Sequence, residues 1–277
     1  MKKVLLGGVA LITLGFVGSA VAADMPLKAP APVVVNTWTG FYVGVNFGGG
    51  DFKSSTESFS QTPDPALNPF GIVFDPVNGG GVGQWGAQGG VHAGYNWQLT
   101  PSWLVGVEGD WEKTNVGLTP VEVNLTNGGG AIPPCLGVAP APPLCHSTMM
   151  SQNLEWTASV RGRLGYVWGS ALLYGTGGAA WDSEERSGAV VGPFNTSSIA
   201  TSYNTTNTGW VAGGGAEFMA TANWLVRIEY LHYKFGGGNS QTVACTLCAA
   251  GAFAGPGNFT WGSTTFDVIR AGLSYKF

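Results

Sequence analysis

Charge is scarce in this 277-residue chain: Asp, Glu, Lys and Arg together make 10% of it, against about 25% in an average soluble domain. Beyond the first two dozen residues it has no run of the eighteen or so apolar residues that a membrane helix needs. Histidine occurs three times and cysteine four; the four cysteines with His146 could bind zinc, but the two cysteine pairs stand about a hundred residues apart, which in an oxidising space favours disulfides. Without Lys2 and Lys3 the 12 basic residues fall to 10 against 16 acidic ones, about −6. That balance excludes a nucleic-acid binder.

Glycine and aromatics are abundant instead, with 45 Gly, 11 Trp and 14 Phe. The amino terminus reads Met1-Lys2-Lys3, an apolar run from Val4 to Val21, then Ala22-Ala23 before Asp24. This is the form of a secretory signal peptide cleaved near Ala22 or Ala23. The expected division is 1–22 signal peptide, 23–37 Pro-rich periplasmic leader and 38–277 one barrel domain. In an exported chain Cys135, Cys145, Cys245 and Cys248 are expected as two disulfides, with local pairing (135 with 145, 245 with 248) preferred among three connectivities.

Period-two alternation marks eight segments, about 38–49, 84–97, 103–114, 154–168, 171–182, 208–220, 223–235 and 265–277. Each reaches the 9–11 residues of a tilted membrane strand. Short links (98–102, 169–170, 221–223) alternate with long ones (50–83, 115–153, 183–207, 236–264) rich in Gly, Pro, Ser, Thr and Asn. All 16 prolines lie outside the eight segments, as a closed barrel requires. The pattern predicts an all-β fold: an eight-stranded antiparallel transmembrane β-barrel with short periplasmic turns and long extracellular loops.

The two faces of each segment differ in kind. Trp103, Val105, Val107 and Trp111 oppose Glu108 and Asp110; Trp156, Ala158, Val160, Leu164, Tyr166 and Trp168 oppose Arg161 and Arg163; Trp224, Val226, Ile228 and Tyr230 oppose Arg227 and Glu229. Charge is expected on the small-residue face throughout. A soluble lipocalin-type barrel would turn the apolar face inward; large rings outside and paired charge inside suit lipid. Trp97, Trp103, Trp168 and Trp224, with Trp38, are expected in a lower aromatic girdle that Tyr275 and Phe277 complete. Trp85, Trp111, Trp156, Trp181, Trp210 and Trp261 are expected in an upper one.

Glu108, Asp110, Glu217 and Glu229 then face Arg161, Arg163, Arg227 and Arg270. Acids matched by guanidinium forks point to an ion-pair network filling the lumen rather than to glycosidase chemistry. No serine pairs with His232 by this pattern, and His146 lies between loop segments, so no catalytic residue, metal or cofactor is expected. "CTLC" lacks the histidine of a haem attachment site, since Ala249 follows it. The glycine runs at 79–83 and 128–130 have no strand-to-helix context and are not phosphate cradles.

The stretches "AADMPLKAP", "WTGFYVGVNFGG", "GVHAGYNWQ", "VGVEGDW", "SVRGRLGYVW", "LLYGTGGAAW", "GWVAGGGAEF", "LVRIEYLHYKFG" and "VIRAGLSYKF" resemble the outer-membrane immunogenic proteins of alpha-proteobacteria, within the opacity and OmpA-like eight-stranded barrel group. The resemblance covers nearly the whole mature chain and rests on structural motifs. It implies a bacterial outer-membrane location, with membrane lipid and lipopolysaccharide as surroundings. It also implies that Leu273, Tyr275 and Phe277 form the C-terminal signal read by the outer-membrane assembly machinery. An envelope-structural, loop-displaying role without a wide channel is expected. Loop-mediated capture of a ligand such as hemin or a host surface, a small-solute pore, and a lipid A-modifying hydrolase stand as alternatives.

Overall fold

The computed structural model describes residues 37–61, 77–80, 84–124, 147–191, 198–237, 239–243 and 256–277. The expected signal peptide, the expected leader up to residue 36, His146 and all four cysteines lie outside the described residues, as do the roles expected of them. No helix occurs among the described residues; all regular structure is β.

Eight strands close into a barrel: β1 (Gly40–Ser54), β4 (Gln84–Gln98), β5 (Trp103–Asn124), β6 (Ser147–Trp168), β7 (Ala171–Val191), β8 (Ser198–Met219), β9 (Trp224–Phe235) and β12 (Thr264–Lys276). Each pairs antiparallel with its neighbour. The ring shuts where β1 meets β12, with Val45 opposite Leu273 and Tyr42 opposite Lys276. Four short strands, β2 (Thr56–Gln61), β3 (Val77–Gly80), β10 (Asn239–Val243) and β11 (Gly257–Trp261), form a separate sheet in the order β10-β11-β2-β3.

The short turns are built by local chemistry. In "LTPSW" and "ATANW", Thr100 Oγ1 accepts hydrogen bonds from Ser102 N and Trp103 N, and Thr221 Oγ1 accepts from Asn223 N and Trp224 N. Each threonine thereby offers the chain a side-chain alternative to a backbone turn bond. Between β6 and β7 only Gly169 and Ser170 remain, and Gly169 takes φ +61°, a left-handed conformation that favours glycine.

Four expectations are corrected. Strands β5 to β8 run 21 or 22 residues, so parts of the 115–153 and 183–207 links continue the barrel wall outward. Pro120 therefore lies within β5; it sits at the register shift between Leu118 and Val121, where the ladder is already broken. Trp38 and Trp261 leave the girdles: they are 1% and 0% exposed, packed inside rather than on the outer wall. Finally, charge is not confined to the inner face. At the long-loop end the outward positions include Asp51, Lys53, Asp267, His232 and Lys234, because there the wall has left the apolar band and water solvates them.

The alternation otherwise sorts side chains cleanly. Val160, Leu164, Ile228 and Ile269 are exposed on the outside, while their sequence neighbours are buried within. The outer surface is apolar over the middle of every strand, and Trp97, Trp103, Trp168 and Trp224 ring one end as Trp85, Trp111, Trp181 and Trp210 ring the other.

Candidate functional site

From the short-turn end outward, the inward side chains of the barrel form successive layers. First comes an apolar layer of Trp38, Leu104, Val167, Leu172, Tyr174, Met219 and Leu225. A layer of buried charge follows. Above it lies a second apolar layer, including Phe52, Val116, Leu154, Val211, Leu231, Tyr233, Phe266 and Val268. Then come Asp182, Glu184, Arg186 and Gln152. Finally, Phe59, Phe259 and Trp261 from the small sheet pack with Met150 of β6 and Ile199 of β8. Apolar layers thus stand below, between and above the two charged ones.

The lower charged layer is a single network. Arg161 Nη2 donates to Glu108 Oε1 at 2.5 Å and Asp110 Oδ2 at 2.8 Å, and its Nη1 donates to Glu229 Oε1 at 3.0 Å. Arg163 Nη2 reaches Glu217 Oε2 at 2.6 Å. Arg227 Nη1 reaches Glu108 Oε2 at 2.6 Å. Arg270 binds Glu229 Oε2 through Nη2 at 2.7 Å and Glu112 Oε1 through Nη1 at 2.6 Å. The structure therefore brings together all eight residues named from the alternation: Glu108, Asp110, Glu217, Glu229, Arg161, Arg163, Arg227 and Arg270.

Several members were missed. Glu112 follows Glu108 and Asp110 at the same two-residue spacing, and that spacing could have found it. Tyr42 Oη donates to Glu108 Oε2 at 2.7 Å and accepts from Arg163 Nη1 at 2.7 Å. Asn46 bridges Glu112 and Arg227, and Tyr174 Oη donates to Glu229 Oε1. These neutral groups occupy lone pairs and protons that the ions leave over, as a buried ionic cluster demands. Their only sequence signal is inward parity.

Glycine makes room for the cluster. A Cβ on Gly94 would stand 2.4 Å from Tyr42 Oη, and one on Gly44 would stand 2.5 Å from the His92 ring. His92 Nε2 lies 2.7 Å from Ser274 Oγ, both buried. No described residue hydrogen-bonds His92 Nδ1. His232 instead faces outward, with Nδ1 2.7 Å from Asp267 Oδ1.

The upper charged layer lies beyond the Trp181 girdle. Arg186 Nη2 binds Glu184 Oε2 at 2.6 Å, and Gln152 Nε2 and Thr264 Oγ1 donate to the same carboxylate. Asn207 donates to Asp182 Oδ1 through N and Nδ2. Burial, with Glu184 beside it, holds the Asp182 carboxyl above the usual carboxylate range.

The C-terminal strand presents Leu273, Tyr275 and Phe277 outward. Tyr275 meets Trp224 edge-on, and Phe277 packs between Tyr275 and Phe41.

The family model for the outer membrane protein beta-barrel domain matches residues 9–277. The chain belongs to that family. It is 32% identical to the 31 kDa outer-membrane immunogenic protein of Brucella melitensis over the full length of both chains. To the 22 kDa outer membrane protein of Rhizobium leguminosarum it is 27% identical, over 77% of this chain and 70% of that one. Among solved structures it is similar to the outer membrane protease OmpT of Escherichia coli, with 10% identity and a TM-score of 0.42, covering 84% of this chain and 97% of that one. That last likeness carries no argument about chemistry. Family membership places the apolar wall in the outer membrane, the short turns in the periplasm and the long extensions outside.

Proposed function

We propose that this outer-membrane β-barrel works as a sealed structural element of the envelope that holds a cored cap and its loops outside, without catalysis and without a wide channel. The observation that carries this is the stacking of apolar, charged and apolar layers through the lumen. An eight-strand barrel is just wide enough to be filled by its own side chains, and buried aromatic residues packed at three levels support that reading. The exposed Leu273, Tyr275 and Phe277 fit the role of the strand that the assembly machinery reads.

A strain lacking the protein is expected to become sensitive to detergent and to large antibiotics, and the intact gene is expected to restore resistance. A gene lacking the Phe277 codon should restore little, because less barrel reaches the outer membrane. Unchanged resistance in the deletion strain would contradict the envelope role. Full outer-membrane yield without Phe277 would contradict the assembly role.

A further inference from the structure

Positive charge is sorted by residue type and by end. All five arginines of the chain, Arg161, Arg163, Arg186, Arg227 and Arg270, are buried. The lysines at outward positions among the described residues are Lys53, Lys113 and Lys234. All three stand at the extracellular rim: Lys234 lies beside Trp210, Lys113 beside Trp156, and Lys53 two residues beyond the Asp51–Trp85 pair. The opposite rim presents Trp97, Trp103, Tyr166, Trp168, Trp224, Tyr275 and Phe277. The lysine near it among the described residues, Lys276, turns inward and donates to Thr37 O. Among the described residues, the outward-facing lysines thus stand at one end of the barrel.

Two of these lysines share a built patch. The register sets Lys234, Thr265 and Lys53 side by side across β9, β12 and β1. Neighbouring strands lie about 4.8 Å apart, so the two lysines flank Thr265 at roughly 10 Å, within converging reach of long side chains. The row beneath is His232, Asp267 and Asp51, ending at Trp85. Its carboxylates are already engaged: Asp267 accepts from His232 and from Tyr230 Oη, each at 2.7 Å, and Asp51 holds Lys53 at 2.6 Å. Lys234 has no ion pair among the described residues, and Lys53, half exposed, keeps further ammonium protons free. Below the charged rows the wall returns to Ile269, Ile228 and Ala216.

We infer that this β9–β12–β1 rim binds the phosphorylated sugar headgroup of an outer-leaflet glycolipid of the lipid A kind. Lys53 and Lys234 hold a phosphate over Thr265, Trp210 and Trp85 flank the headgroup, and the acyl chains run down the apolar wall. The one-ended placement of the outward lysines favours that leaflet's glycolipid over an anionic phospholipid common to both. The inference goes beyond the structural role proposed above and does not depend on it.

The test is native mass spectrometry of the folded, detergent-held protein, titrated with diphosphorylated lipid A, with dephosphorylated lipid A and with phosphatidylglycerol. Wild type should prefer diphosphorylated lipid A over both. The K53Q/K234Q variant should lose roughly 25-fold in affinity for it, about fivefold for each lysine at an anionic surface, and should bind dephosphorylated lipid A as before. K113Q, away from the patch, should change little. Heat-modifiable gel mobility confirms that each variant is folded. Equal binding of lipid A by wild type and K53Q/K234Q would overturn the site. Equal binding of phosphatidylglycerol and lipid A by wild type, both lost in the double variant, would overturn the glycolipid as its occupant.

Discussion

Glu108 and Arg161 are directly opposite neighbours on β5 and β6, and their side chains meet at 2.5 Å inside the barrel. The same guanidinium serves Asp110 and Glu229. Removing one side of a buried ionic cluster is far costlier than the net worth of the pair, because the remaining charges keep their desolvation cost. Arg161→Met is therefore expected to destabilise the barrel by about 3–5 kcal/mol. Urea midpoints for unfolding in detergent or vesicles check this; equal midpoints would mean that water, not Arg161, solvates the acids.

Two glycines separate the inner wall from the outer one. Gly94 faces inward, where a methyl group would strike Tyr42 and disturb its bridge between Glu108 and Arg163. Gly162 faces lipid, and its Cβ would meet only Gly177 O at 4.0 Å. Gly94→Ala should cost about 1–3 kcal/mol by overpacking, and Gly162→Ala should be close to neutral. The same midpoints read both, and a neutral Gly94→Ala would show the lumen to be looser than described.

The lipid-facing assignment is tested on "LVRIEY". Ile228 is exposed outside while Arg227 and Glu229 are buried inside. Ile228→Arg should cost about 2–4 kcal/mol if position 228 lies near the bilayer midplane. A spin label at 226 or 228 should be relaxed by lipid-dissolved oxygen, and one at 227 or 229 should be shielded. The reverse pattern would place the apolar wall against something other than lipid.

The cap should respond to pH through Asp182. Its carboxyl lies above its ordinary value of 3.8 because of burial and the neighbouring Glu184. The folded state therefore holds a proton that the unfolded state releases, and stability falls as pH rises above the ordinary aspartate range. Between pH 5 and pH 8 the urea midpoint of wild type should drop, and Asp182→Asn should drop less. Identical pH slopes for the two proteins would show that Asp182 is not the group responsible.

The barrel was legible because strand parity is local: a residue's face is fixed by counting two along its own segment, and Val226, Arg227, Ile228 and Glu229 declare theirs without reference to any partner. The lumen acids and bases followed from the same count. What parity cannot give is which strands a long side chain crosses to meet, so Tyr42 bridging to Glu108 on β5 and Arg163 on β6 could not be read. Trp38 was misplaced against its own parity, since it shares the even, inward positions of Tyr42 and Asn46, and Trp261 was misplaced because it belongs to the small sheet, in β11, outside the eight segments. The small sheet was taken for loop because its strands are only four to six residues long, and their apolar residues find cover only when Met150 and Ile199 arrive from elsewhere in the chain.

The layered lumen is expected to be shut. Refolded protein inserted into planar bilayers should show no steady open level in single-channel recordings at neutral pH and moderate voltage. Long-lived, ohmic openings of porin size from the wild-type protein would contradict it.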